Sequence, residues 1–390
     1  MTERRVRVEL HGDLHRIDEA AWDAISGEND PFAEYAFLRA LETSGSVGPG
    51  TGWSPLHVTA WDDAKLVGAL PLYVKAHSYG EYIFDFGWAQ AASRARIRYY
   101  PKLVSMTPFT PATGTRFLVD PSRSYEEIVE VLLAGVQAAM TETKASSVHL
   151  LFLNEQERAV MRAHRPFFPR LSMQFHWRSR GDKTFDDYLS HFRSEPRKQV
   201  RRERRKVVES GLCIRVADGH ELSVDEWSAL DAFYRDTCAR KGSDAYLSEK
   251  FFTHLQGSNA KNRVVAVLAY DGPRLVAGTI NFEKGKHLYG RYWGCLKEYD
   301  ALHFELCYYV LIDRAIARGY ERFEAGAQGM HKLKRGLLPS EVYSSHFIAD
   351  ERLGEPVAEY VGHEAMAVQR EIQELMLESP MHREHLDEAK

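Results

Sequence analysis

Cysteine is scarce: four in 390 residues, Cys213, Cys238, Cys295 and Cys307, irregularly spaced and without a Cys-x-x-Cys pair. That excludes a zinc ribbon and a disulfide frame, and reads as reduced thiols. No apolar run approaches the ~20 residues of a membrane-crossing helix. The opening MTERRVRVEL carries charge with no apolar stretch behind it, unlike a signal peptide. The expected location is therefore the cytoplasm. Positive charge is not in excess: 51 Lys and Arg against 55 Asp and Glu leave −4. A general nucleic-acid coat is excluded, and an anionic partner must be met by a local patch. The patterns GxxxxGK[ST], GxGxxG and GxSxG are missing as well, so neither a phosphate loop, a dinucleotide fingerprint nor a nucleophile-elbow serine is expected. No His/Cys/Asp cluster has metal-ligand spacing, and no metal is expected.

What is present begins with a repeat. AWDDAKLVGALPLYVKAHSYGEY starts at Ala60 and AYDGPRLVAGTINFEKGKHLYGRY at Ala269. The offset of 209 (269 − 60) holds from Asp62/Asp271 through Leu66/Leu275 and Val67/Val276 to Lys75/Lys284. One inserted residue then aligns Tyr79-Gly80 with Tyr289-Gly290. Each copy reads as a hairpin around Asp62-Asp63 or Asp271-Gly272, and two copies predict a duplicated α/β unit. A helix with Ser124 as N-cap is expected over Ser124–Met140. A second carries apolar residues from Phe304 to Ile316 at helical spacing, with Asp300 as its N-cap and Gly319 as its left-handed stop. The segment FDDYLSHFRSEPRKQVRRERRKVVESG reads as helix joining the halves.

Four segments could carry chemistry. In the basic helix Arg193–Lys206, Arg193, Arg197, Arg201 and Arg205 recur at i+4 and form one stripe. Like charges at that spacing cost helix stability, so the stripe points to a phosphate-bearing partner rather than a merely solvated face. In HLYGRYWGC, alternation would place Tyr289, Arg291, Trp293 and Cys295 on one face, with glycines marking a bulge or a close approach. His303 and Glu305 fall in the first turn of the following helix. EAGAQGMHKLKRGLLP (324–339) brings His331, Lys332, Lys334 and Arg335 just past a strand's carboxyl end, where open α/β sheets bind ligands. In the first half Lys75, His77, Glu81, Asp85, Trp88, Tyr99, Tyr100 and Lys102 mix charge with aromatics as a recognition surface does, and unlike a core.

These motifs, with YYPKL, PFTPATGTRFL, LHFELCYY and YSSHFI, resemble the bacterial FemAB-like predicted N-acyltransferases, also described as peptidoglycan biosynthesis/recognition proteins. The likeness runs from about Pro31 to beyond His346. It implies two tandem GNAT-type units, each a mixed twisted sheet flanked by helices, divided as 1–180 and 181–390. It also implies transfer of an aminoacyl group from charged tRNA to an amine of a cell-wall precursor. Two positions depart from the family pattern. Met330 stands where a glutamate follows GAQG, and Leu333 and Leu337 replace the aromatics around Lys334.

Such a site needs a proton acceptor, donors facing an oxyanion and a cationic cradle for the acyl donor. His331, His303, Glu305 and Arg291 are the catalytic candidates. Arg197, Arg201, Arg205, Gln328, Lys332, Lys334 and Arg335 would bind the donor, and the Lys75–Lys102 cluster the acceptor. No tightly bound cofactor is expected. GCLKEYDALHF lacks the [RQ]xxGx[GA] turn of acyl-CoA enzymes, which favours aminoacyl-tRNA over acyl-CoA as donor. The alternatives are an acyl-CoA-dependent N-acetyltransferase and a non-catalytic recognition module for a cell-wall precursor or RNA.

Overall fold

The computed structural model describes residues 6–326 and 329–385. The chain forms two compact units. The first comprises Met1–Ser172, Tyr246–Phe251 and Glu341–Val368; the second comprises Met173–Ala245, Phe252–Ser340 and Gln369–Lys390. Both are mixed α/β, as the repeat predicts.

The duplication is visible at the level of single backbone pairs. In the first unit His57–Asp62 pairs antiparallel with Lys65–Leu70, and the register slips where Ala60 faces Gly68 but Trp61 faces Leu66, leaving Val67 as the extra residue. In the second unit Val264–Asp271 pairs with Arg274–Lys284, and the slip falls between Ala269 and Tyr270, leaving Val276. Both bulges sit at the same offset of 209. The turns agree too: Asp63 has φ 51° and Gly272 φ 57°.

The antiparallel ladder then continues in the same way in both units. Lys75 faces Lys102 in one unit and Lys284 faces His287 in the other. Parallel pairing follows, Val104 with His149 and Tyr289 with Glu324. An antiparallel strand closes each set, His346 facing His149 and His176 facing Glu324. The Tyr79/Tyr289 equivalence fails, however. Tyr79 lies in a loop, because Pro71 interrupts the first copy between Lys65–Leu70 and Tyr73–Lys75, whereas Arg274–Lys284 runs unbroken.

Helices cover the sheets where the apolar periodicity says they should. Tyr125–Thr143 has Ser124 as N-cap, accepting from the Glu127 amide at 3.4 Å, and packs Ile128, Leu132 and Val136 on Val58, Ala60 and Val67. In the second unit Val224–Arg240 lies on the opposite side of its sheet from Leu302–Phe304 and Val310–Arg318. Asp300 is not the cap of the latter helix: Ala301, at φ 63°, holds that position, and the Asp300 carboxylate accepts from Lys206 at 2.6 Å. Gly319 does stop the helix at φ 64°. The joining segment is two helices, Phe185–Ser190 and Ser194–Glu209, separated by His191–Arg193.

Gly294 packs directly on the Phe233 backbone: a Cβ there would sit 2.2 Å from the Phe233 carbonyl oxygen. Gly294→Ala is expected to destabilise the second unit by roughly 1–3 kcal/mol through overpacking. Urea unfolding checks this, and an unchanged midpoint would refute it.

Candidate active site

The second unit's site is built where two strands part. His287–Cys295 pairs in parallel with Arg322–Glu324 only from His287 to Tyr289. Two residues later, opposite Ile280 and Asn281, the first strand bulges, with Arg291 as its extra residue. Among the described residues no strand pairs with that edge of Gly290–Cys295. In the first unit the corresponding interval is occupied by the unit's own chain. Gly114 lies beside Leu153, and its amide donates to the Phe152 carbonyl at 3.2 Å.

The bulge also changes which side chains share a face. Tyr289 stands opposite Phe282 and Tyr292 opposite Ile280, so the two tyrosines point to one side and Trp293 and Cys295 to the other. The alternation expected through Arg291 is broken because the extra residue shifts the phase by one. Arg291 stacks 5.2 Å from the Tyr292 ring, which packs on Tyr234 and Phe252. Trp293 instead meets His303 at 5.2 Å.

Past Gly326 and Gly329, residues Met330–Arg335 form a 3₁₀ turn rather than an open loop, closed by Gly336 at φ 79°. A Cβ on Gly336 would lie 2.2 Å from the Tyr188 hydroxyl, so only glycine fits. The turn sends its basic side chains in different directions. His331 Nε2 is 2.8 Å from the Tyr308 hydroxyl, and its ring is 5.6 Å from that of His303. Lys332 is buried and donates to the Gly326 carbonyl at 2.6 Å. A Cβ on Gly326 would be 3.8 Å from Gly290 O and 4.0 Å from Lys332 Nζ, so bulge, glycine turn and lysine converge. Lys334 is exposed. Arg335 is buried: it donates to Glu203 at 2.8 Å and to the His331 carbonyl at 2.8 Å, and lies 3.3 Å over Phe304.

Of the catalytic candidates, then, the two histidines come together. Glu305 turns away from them, to Arg204 at 3.1 Å, within a single π-helical turn, Glu305–Tyr309. Such a turn adds a residue to the helical cycle and is common at functional sites. It places Tyr308 on His331 and sends Tyr309 to Glu203. Tyr308 reads as an ordinary apolar position of an amphipathic helix and Tyr309 falls outside that series, so no local signal marked either. Gln328 lies outside the described residues.

Burial sets the protonation of this cluster. It lowers Lys332 to about 7, assisted by Lys241 and opposed by Cys307. It pushes His303 down to about 4, with His331 contributing, and lowers His331, with Lys332 and Arg335 contributing. Glu305 is raised by burial against the pull of Arg204. Both histidines are neutral at pH 7, and Lys332 is divided between amine and ammonium.

On the basic helix Ser194–Glu209, Arg201 and Arg205 are exposed and Arg197 is half-buried, while Val200, Glu203 and Val207 face inward. Arg201 reaches Asp186 at 2.9 Å, and Arg193 is tied to the Ser379 carbonyl at 2.5 Å. Glu203 joins this helix to the basic turn, accepting from Arg335, Tyr309 and Gln199.

The first-unit cluster does assemble, but as interior rather than surface. Lys75, Glu81, Asp85, Trp88, Tyr99 and Lys102 are all buried; His77 and Tyr100 are half-buried. Lys102 donates to Glu81 at 2.8 Å, Asp85 at 2.5 Å and Ser78 at 3.0 Å, and Tyr99 donates to Asp85 at 2.5 Å. Lys75 lies 3.5 Å over the Trp53 ring. Burial lowers Lys75 to about 7 and raises Glu81 to about 7. It works to raise Asp85 too, but Lys102 and His149 outweigh it and hold that carboxyl low. Charges this well paired can occupy a core, which is why a mixed composition misled the sequence reading. His149 and His346, 2.8 Å apart Nδ1 to Nδ1, extend the network.

A family model described as peptidoglycan biosynthesis/recognition, FemAB-like, matches residues 13–383. The chain belongs to the FemAB-like family. FemX is similar in structure, with TM-score 0.55 and 13% identity over 90% of this chain and 100% of that one. A C-terminal domain assigned to a lysylphosphatidylglycerol synthetase from Agrobacterium fabrum gives TM-score 0.53 and 8% identity, covering 88% and 95%. A conserved protein of unknown function from Bacteroides thetaiotaomicron gives 0.51 and 11%, covering 88% and 98%. No curated protein matches the sequence significantly. These likenesses show that this FemAB-like protein shares the fold of FemX and of the synthetase domain. Among the described residues no helix is long and apolar enough to cross a membrane.

Lys332 gives a pH signature. Folded, it keeps its proton only below about pH 7; unfolded, it keeps it to near the ordinary 10.5. The unfolded state therefore binds more protons between those values, and this lysine makes stability rise with pH across that window. Lys332→Met should remove that slope, so that its stability gain over wild type is largest below pH 7 and closes toward pH 10. Denaturant midpoints at a series of pH values test this; a pH-independent difference would mean an ordinary charged lysine.

Proposed function

We propose that this FemAB-like protein is an acyltransferase that moves an aminoacyl group from charged tRNA to the amine of a cell-wall precursor, in the cytoplasm. The observation that carries the reading is the gap beside the Arg291 bulge, flanked by His331 and Lys332 and joined through Arg335 and Glu203 to an arginine-bearing helix. The acceptor nitrogen attacks the ester carbonyl carbon, and the bond from that carbon to the ribose oxygen breaks. Neutral His331, held by Tyr308, takes the proton the amine loses and returns it to the departing ribose oxygen. Backbone N–H groups at the bulge face the developing oxyanion, and Lys332 adds positive charge in its protonated fraction. Arg197, Arg201 and Arg205 would track the tRNA phosphates. Family membership supports a cell-wall acceptor, and the fold shared with FemX and the synthetase domain is compatible with aminoacyl transfer.

Binding to total tRNA and, separately, to acetyl-CoA across a salt series tests the donor. Tight tRNA binding is expected, with a slope of log affinity on log salt that falls by about 2 when Arg197, Arg201 and Arg205 become Ala. Acetyl-CoA binding without tRNA binding would make the protein an acyl-CoA transferase instead.

A further inference from the structure

Between Asp85 and Asp120 the chain has no carboxylate, yet it carries Arg94, Arg96, Arg98, Lys102 and Arg116. Lys102 and Arg116 are buried and paired. Arg94, Arg96 and Arg98 are exposed at and beyond the end of the helix Phe86–Arg94. Arg98 donates to the Lys144 carbonyl at 2.6 Å, which brings the exposed Lys144 to the same place.

At the helix's other end three aromatic side chains face solvent: Tyr79 is 58% exposed, Phe84 39% and Phe86 43%. They touch one another, Tyr79 to Phe86 at 5.4 Å and Phe84 to Phe86 at 5.2 Å and 18°. The loop bearing them is pinned. Arg170 donates to the Phe84 carbonyl at 2.9 Å while its guanidinium holds Glu364 at 2.7 and 2.9 Å. Trp88 and Ala92 bury the helix's inner side, which leaves Phe86, Gln90 and Arg94 as one outer stripe at i+4. Along that stripe the aromatic and basic ends are about 12 Å apart.

Such a ring cluster left uncovered marks an interaction surface. Aromatic side chains beside arginines, with no carboxylate between, have the composition of an element that lies in a membrane interface. An RNA would satisfy the arginines, but Phe84 and Phe86 spend one ring face each on the other, where stacked bases would need open faces. We propose that this face of the first unit docks on an anionic lipid surface, with the rings seated among the headgroups and Arg94, Arg96 and Arg98 on the lipid phosphates. The inference does not depend on the identity of the acyl donor.

Co-sedimentation of the full chain with vesicles of phosphatidylcholine alone, and of equal parts phosphatidylcholine and phosphatidylglycerol, tests it. Binding is expected to the mixed vesicles and not to the neutral ones. Each arginine near such a surface strengthens partition by about fivefold. Arg94→Glu with Arg96→Glu should therefore weaken binding by more than about twentyfold. Tyr79, Phe84 and Phe86 all changed to Ser should weaken it independently of salt. The replaced side chains face solvent, so both variants should unfold at the wild-type temperature. Absence of vesicle binding, equal binding to the two compositions, or undiminished binding by both variants would overturn the proposal. So would tRNA binding that the arginine variant abolishes without any vesicle binding, which would reassign the face to RNA.

Discussion

The second unit's site depends on the place where a parallel ladder stops. Three residue pairs, His287 to Arg322 through Tyr289 to Glu324, hold two strands together, and the bulge at Arg291 then takes the longer strand out of register. Among the described residues no strand takes up the edge of Gly290–Cys295 beyond that point. In the proposed reaction the acyl carbonyl, as it becomes an oxyanion, would meet this edge. The first unit shows the alternative: the same ladder, with Gly114 laid beside Leu153. Duplication thus supplied two frames, and the connecting chain decided which one kept an opening.

Around the gap, buried charge serves as a fastener. Glu203, Arg335 and Tyr309 are shielded from water and bonded to one another, so removing any one strands the others. The consequence is geometric. Glu203 belongs to the helix that carries the exposed arginines and Arg335 to the turn that carries His331, so the proposed polyanion seat and the proposed proton acceptor are set by one ion pair. The same desolvation that makes these pairs necessary lowers Lys332 and both histidines, and leaves the two imidazoles neutral beside the proposed site.

The first unit spends its charges differently. Lys75, Lys102, Glu81 and Asp85 neutralise one another in the interior, with His149 and His346 continuing the network. What this unit offers to solvent is instead the aromatic and arginine face of the helix beyond Asp85. Inner network and outer face come from one stretch of sequence, and only burial separates them.

The sequence by itself determined the duplication, because a hairpin's bulge and turn depend on local residues: Val67 and Val276, Asp63 and Gly272 recur at one offset. It determined the capped helix after Ser124, the stop at Gly319 and the family, whose motifs are contiguous strings. Tertiary structure alone decided the rest. That Tyr308 meets His331 depends on a π turn, that Glu305 serves Arg204 depends on which helix lies nearby, and that Lys332 is buried while Lys334 is exposed depends on a 3₁₀ turn. Composition pointed to a surface for Lys75 and Lys102 and the fold buries both, because a charge's place is fixed by partners up to dozens of residues away. Local propensity is written in neighbours along the chain; desolvation and pairing are written only in neighbours in space.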